Sequence, residues 1–207
     1  PKLSIKESFL FLAKSKYLGC IAMLVLAYGV AINLVEVTWK NQIHVLYPTK
    51  NAYSAYMGGF SEMTGYITML VTFFLGGATV RKLGWSKTAL ITPIIILLTG
   101  VAFFGFTIFK DNLMGFAALF GTTPLVLGVM FGKIQNIASK STKYAFFDPT
   151  KEMAYIPLDQ ETKVKGKAAV DVVGARLGKG GGSFVQQGLL IALGGSVSAV
   201  VPYVGVI

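Results

Sequence analysis

Between Lys87 and Lys110 the chain runs through residues 89–109, 21 positions without a charged side chain. At 1.5 Å per helical residue that length spans the ~30 Å hydrocarbon core of a bilayer. Comparable apolar stretches recur on both sides of it, so the class is a polytopic helical membrane protein. Composition agrees: 54% of residues are hydrophobic and 14% charged, where a soluble domain carries about a quarter charged. The single cysteine, Cys20, lies in an apolar run and offers no disulfide framework. The polar, basic segment 1–17 does not read as a cleaved signal peptide.

In chain order, residues 5–13 (IKESFLFLA) read as a short amphipathic helix at the interface, ringed by Lys2, Lys6, Lys14 and Lys16. Spans are expected at about 17–45, 53–80, 89–109, 113–139, 168–194 and 197–207. The fifth must begin near Ala168, because its clean apolar part, 184–193, is too short to cross alone. Gly194–Ser196 then turns the chain into a sixth helix that reads as incomplete. The sequence therefore predicts an all-α membrane fold, a six-helix bundle. A short segment near 153–158 is expected to lie at the interface.

The net charge of +10 is topological rather than a nucleic-acid footprint. The N-terminal segment, the 81–87 loop and the 140–167 connection hold thirteen of the nineteen basic residues, while the opposite loops hold only Lys50 and Lys110. By the positive-inside rule the richer side is cytoplasmic, and the N-terminus of the chain lies with it.

Four basic residues remain inside the spans, Lys40, Lys133, Arg176 and Lys179, with Glu36, Glu62 and Asp171 at similar depth. A charge at a helix centre costs about 2.5–3.5 kcal/mol on insertion scales, so these groups should face a wet cavity or one another. Their spacing supports shared faces. Asn33, Glu36, Lys40 and His44 step by three and four; so do Lys133, Asn136 and Lys140, and likewise Arg176, Lys179, Ser183 and Gln186/Gln187. The third span has nothing more polar than threonine and reads as lipid-facing support. Two cavity-lining helices and a greasy one, then the same again, is the three-plus-three pattern of transporter repeats. Such polar stripes imply a partner half.

Blander readings exist for several of these residues. Glu36 and Lys40, at i,i+4, suit a structural ion pair near the outer interface equally well. Lys133 and Lys140 lie late in a span ending in the cytoplasm, from where either stem could snorkel to the headgroups. His44, near a helix end, reads as interfacial, and Glu62, on a small-residue face, as part of a tight helix contact. Lys179 is hardest to dismiss: glycines around it would let the backbone approach a ligand, and Arg176 is one turn away. Residues 171–187 (DVVGARLGKGGGSFVQQ) invite a P-loop reading that their spacing refuses. Three residues separate Gly174 from Gly178, glycine follows Lys179, and no strand precedes. What is shared is narrower: glycine amides and a lysine suit phosphate oxygens. No metal-ligand cluster, cofactor motif or catalytic constellation is visible, so the chain reads as a non-enzyme.

Residues 139–183 (SKSTKYAFFDPTKEMAYIPLDQETKVKGKAAVDVVGARLGKGGGS) closely resemble the signature region of the ATP/ADP translocases of plastids and obligate intracellular bacteria. Residues 33–43 (NLVEVTWKNQI) resemble a second block of that family, and the wording of both is similar to its chlamydial members. The resemblance covers essentially the whole chain and implies the C-terminal half of a twelve-helix, major-facilitator-like carrier, with the N-terminal half as its partner. It implies exchange of external ATP for internal ADP plus phosphate across a bacterial inner membrane, the plastid inner envelope being the alternative. Among charged residues implicated in family transport, Glu36 and Lys179 match. Gly180 departs from the usual LGKSGG and removes a hydroxyl beside the phosphate site.

Together these readings assign Lys179, Arg176 and Lys133 to the phosphates. Glu36, Lys40, Glu62 and Asp171 become cavity charges, with Asn33, Asn136, Ser183 and Gln186 as polar support. A proton-coupled importer of nucleotides or NAD, using Glu36 or Glu62, is the rival of the same fold. A non-transporting scaffold is the rival of another class. Tyr28, Phe60 and Tyr66 are aromatic candidates for the adenine.

Overall fold

A computed structural model describes residues 5–192 and 197–206, and every element among them is helical. The amphipathic α1 (Ile5–Lys14) ends at Ser15, whose hydroxyl accepts from Leu18 N (3.3 Å) and caps α2 (Lys16–Leu46). Thr49 caps α3 (Lys50–Val71) in the same way. A π-helical turn, Thr72–Gly76, leads on into α4 (Gly77–Ile108).

The expected 81–87 loop shrinks to one residue, Gly84, at φ 78°, ψ 171°. Only glycine adopts such backbone readily. Contacts show that the chain reverses there. Thr68 of α3 and Gly76 of the π turn meet Ser141 and Ala145, so this stretch runs parallel to the helix that follows, over residues 124–142 and the turn beyond it. Beyond Gly84 the order inverts: Thr92 meets Thr142, Phe103 meets Gly132, and Thr107 meets Gly128.

That following helix starts later than the sequence suggests. The expected 113–139 span is broken into α5 (Met114–Leu119) and α6 (Pro124–Thr142). Gly121 at φ 62° ends the first, and the Thr123 cap with Pro124 at the first helical position starts the second. At its far end α6 continues past 139 through a second π turn, Lys143–Phe147, into α7 (Asp148–Met153). The expected 140–167 connection is thus mostly helical. After residues 154–159, which hold most of the expected interfacial segment, Asp159 caps α8 (Gln160–Val173), eight residues before the expected start. A third π turn, Gly174–Gly178, joins α8 to α9 (Lys179–Ala192), and α10 is Val197–Val206. The turn expected at Gly194–Ser196 lies outside the described residues.

Helix α6 is the hub, flanked by α2, α3 and α4. Trp39 is fully buried there with Phe60, Phe103, Val129 and Ile137. Its indole N–H donates to Val129 O (2.9 Å), and its ring fills the space that Gly132 leaves empty. A second cluster gathers Leu12, Leu18, Ile21, Tyr155, Val170 and Val173 where α1, α2 and α8 meet. On α4, Leu90, Ile94, Leu97, Leu98 and Val101 form one exposed apolar stripe, as a helix against lipid should. By length and hydropathy, α2 and the bent run Lys50–Ile108 each qualify to cross a membrane.

Candidate functional site

Helices α2 and α9 run side by side in the same direction. Successive contacts are Gly166 with Leu18, Gly174 with Val25, Gly178 with Gly29, and Gly182 with Asn33. A Cβ on Gly182 would fall 2.7 Å from Asn33 Oδ1, and one on Gly29 would fall 2.9 Å from Gly178 Cα. These glycines exist for helix packing, as small residues do in membrane bundles. The expectation that Gly178 and Gly182 open the backbone to a ligand is therefore corrected: the backbone they admit is that of α2. Gly180 is different. Among the described residues a Cβ there meets nothing within 4 Å, so the missing hydroxyl leaves open space rather than relieving a clash.

This packing brings two of the sequence stripes together. Ser183 Oγ lies 3.5 Å from Asn33 Oδ1. Lys40, Asn41 and His44 of α2 share a recess of about 410 Å³ with Ser183, Gln186 and Gln187 of α9. Lys40 Nζ is 2.8 Å from Glu36 Oε1, the i,i+4 pair its spacing suggests. His44 stacks on Tyr53 at 3.9 Å between centroids. Arg176 falls within the third π turn and Lys179 opens α9; the side chains of both lie outside the described residues.

The α6 stripe faces α3. Lys133 Nζ sits 5.8 Å from the Tyr56 ring centroid and Lys140 Nζ 5.2 Å from that of Phe60. No described carboxylate pairs with either lysine. Asn136 is buried and donates to Gly132 O in its own helix (2.9 Å). Next to it Gln135, which the site expectation omits, is wholly buried with neither amide atom partnered among the described residues. Glu62 is exposed on α3, and Gly58, Gly59 and Gly65 beside it meet nothing. Within the described residues there is no tight helix contact on that face.

Asp171 belongs to a separate cluster. Its carboxylate is 3.9 Å from Lys151, which is also 3.7 Å from Glu152; Glu152 in turn pairs with Lys167 at 2.6 Å. The same corner is tied by Tyr17 donating to Ala154 O (2.6 Å) and the Trp85 indole donating to Thr150 O (2.9 Å). Burial pushes the Tyr155 hydroxyl well above the usual phenol range, with Asp171 and Glu152 adding to it. The hydrogen bond to Glu152 raises Lys167. Asp171 therefore joins α8 to α7 at the end where the Trp85 indole sits. Among the described residues no group of His, Cys, Asp or Glu could hold a metal.

An all-helical bundle with a lipid-type apolar stripe on one side and recessed lysines and amides on others defines a polytopic membrane protein of the transport type. The chain belongs to the TLC ATP/ADP transporter family, matched over residues 1–207. It is 58% identical over 207 residues to "ADP,ATP carrier protein 1" of Chlamydia pneumoniae, covering all of this chain and 40% of that protein. It is 50% identical over 207 residues to "ADP,ATP carrier protein 2, chloroplastic" of Arabidopsis thaliana, all of this chain and 33% of the relative. To "ADP,ATP carrier protein 1" of Rickettsia prowazekii it is 48% identical over 192 residues, 92% of this chain and 38% of the relative. The chain thus spans about two fifths or less of these relatives' length. No solved structure matches it.

Proposed function

We propose that this chain forms the C-terminal half of an ATP:ADP antiporter that imports ATP against ADP plus phosphate by alternating access. Its fold is then one half of a major-facilitator-like carrier, working with an N-terminal half in a bacterial inner membrane, with the basic ends of its helices cytoplasmic. The observation that carries the reading is the pair of α6 lysines without a described carboxylate partner, in a protein of this family. A half-buried cation with no described counter-ion favours an anionic guest, and a polyphosphate is one that forms charge-assisted hydrogen bonds with it. Arg176 of the third π turn and Lys179 at the start of α9 are assigned to the same phosphates, with Lys40 in the α2–α9 recess. Asn33, Ser183, Gln186 and Asn136 provide neutral polar groups around them.

Obligatory exchange follows from the same electrostatics. If these lysines stay unpaired in the empty carrier, it must reorient with uncompensated charge, whereas a nucleotide neutralises them in either direction. The test is uptake of labelled ATP into proteoliposomes containing the full-length carrier, preloaded with ADP or empty. Strong stimulation by internal ADP, indifferent to a proton gradient, is expected. Gradient-driven uptake without stimulation would instead favour proton coupling, with Glu36 or Glu62 as the proton-carrying carboxylate. Lys179→Ala is expected to abolish uptake while the protein still inserts, and normal kinetics in that variant would remove Lys179 from the site.

A further inference from the structure

We infer that Lys140, rather than anchoring α6 at the headgroups, is a midplane cation that binds the substrate's phosphates. This inference rests on the nucleotide-transport reading above. Its first support is depth. The helix does not end near Lys140; it runs on for thirteen residues through the 143–147 π turn to Met153. The Trp85 indole, bonded to Thr150 O, marks the headgroup level at that end. Ten residues of rise put Lys140 about 15 Å from it, and twelve put it about 18 Å from Gly128, which packs near the opposite end of α4. Those distances divide a ~30 Å core nearly in half. A four-carbon stem does not bridge half a bilayer.

Surroundings give the second support. Lys140 lines an open, largely apolar recess of about 650 Å³ whose other wall carries Ser61, Thr64 and Thr68 of α3 and Thr72 of the following π turn; the Ser61 and Thr64 hydroxyls donate to Met57 O and Phe60 O of their own helix. Thr68 Oγ1 and Ser141 Oγ lie 3.1 Å apart, a hydroxyl pair that joins α3 to α6 one residue beyond Lys140. The ammonium rests over the Phe60 ring at 5.2 Å, a contact that holds a cation without neutralising it. An ammonium group with no described carboxylate beside it suits a phosphate, and the bilayer midplane is where carriers built from repeats hold their substrates. Lys133, seven residues away on the same face, is about 10 Å off along the axis, within reach of one extended polyphosphate.

The experiment compares wild-type, Lys140→Met and Lys140→Arg full-length carrier in proteoliposomes, reading KM, maximal rate and unfolding midpoint. Met keeps the stem on Phe60 and removes the charge. Lys140→Met is expected to raise KM for ATP by about tenfold or more, and Lys140→Arg to restore most of it. Inhibition by AMP, ADP and ATP should weaken in Lys140→Met progressively with phosphate number. Its unfolding midpoint should stay at or above wild type, because a lone charge has left the membrane. Unchanged KM, or equal loss for all three nucleotides, overturns the assignment; so does a lowered midpoint with unaltered KM, which marks a structural lysine. If wild-type carrier shows no exchange at all, the transport reading itself fails, a separate outcome.

Discussion

Gly29 and Gly178 meet backbone to backbone: a methyl group on Gly29 would lie 2.9 Å from Gly178 Cα and 3.2 Å from its carbonyl carbon. Neither neighbour is a flexible side-chain tip, so α2 and the 174–178 turn must separate to admit it. Gly29→Ala is expected to destabilise by about 1–3 kcal/mol, the usual cost of overpacking, read as a lower unfolding midpoint in detergent. Gly180→Ser is the control. Its new hydroxyl enters open space, so stability should stay within about 0.5 kcal/mol of wild type. A reversed order would mean that the α2–α9 contact is not formed in the carrier.

The same glycines show what a sequence carries and what it hides. The GARLGKGGGS wording announces close backbone approach, and close approach occurs. Which partner comes close depends on another helix 140 or more residues away in sequence, and nothing local records that. Helix faces were legible because 3.6-residue periodicity survives any tertiary arrangement: Glu36 and Lys40 pair, and Lys133 and Lys140 share a face. Helix ends were less so. The polar wording of 140–167 resembles a loop, yet π turns and the Asp159 cap keep most of it helical. The interfacial reading of Lys140 rested on a helix ending near it, and the helix runs on to Met153.

The Glu36–Lys40 pair can be separated from a transport role. With side chains 29% and 40% exposed, this i,i+4 pair should show a coupling below about 1 kcal/mol in a double-mutant cycle of unfolding midpoints. If Glu36→Gln then removes ATP uptake while the carrier stays folded, the carboxylate acts in transport. A larger coupling, with uptake lost in proportion to stability, would make the pair a structural strut.

Asp159 gives the α8 start a pH dependence. Its carboxylate accepts from Thr162 N at 2.9 Å, and this backbone hydrogen bond, followed by one from the Thr162 side chain, holds its pKa below the usual carboxylate value. A lowered folded pKa means the cap contributes fully above the unfolded value of about 3.9. The contribution is lost as pH falls through the folded value. Asp159→Asn keeps a cap without titrating, so the difference in unfolding midpoint between the two proteins should change below about pH 4 and be flat above it. A constant difference from pH 6 to 3 would show that Asp159 is equally protonated in both states.

Gln135 makes the last case, because its cost and its use should point in opposite directions. It is fully buried on α6, between Gly132 beneath Trp39 and Ser139, whose carbonyl takes the Tyr28 hydroxyl at 3.4 Å. Both contacts come from α2, so Gln135 lies on the side of α6 that packs there. Neither of its amide atoms has a described partner, and Asn136 Oδ1 beside it is in the same position. A buried polar group left unpaired costs about 1–3 kcal/mol, and an apolar side chain of similar shape avoids that cost. Gln135→Met is therefore expected to raise the unfolding midpoint. Lys133 lies on the opposite side of α6, toward α3, but unsatisfied groups persist in stable folds mainly where function uses them, here at the α2–α6 seam. ATP uptake by Gln135→Met should accordingly fall, by about tenfold if the amide makes one hydrogen bond in another state of the transport cycle. A lower midpoint would show the amide to be bonded within the bundle, and a higher midpoint with unchanged uptake would leave Gln135 outside the transport path.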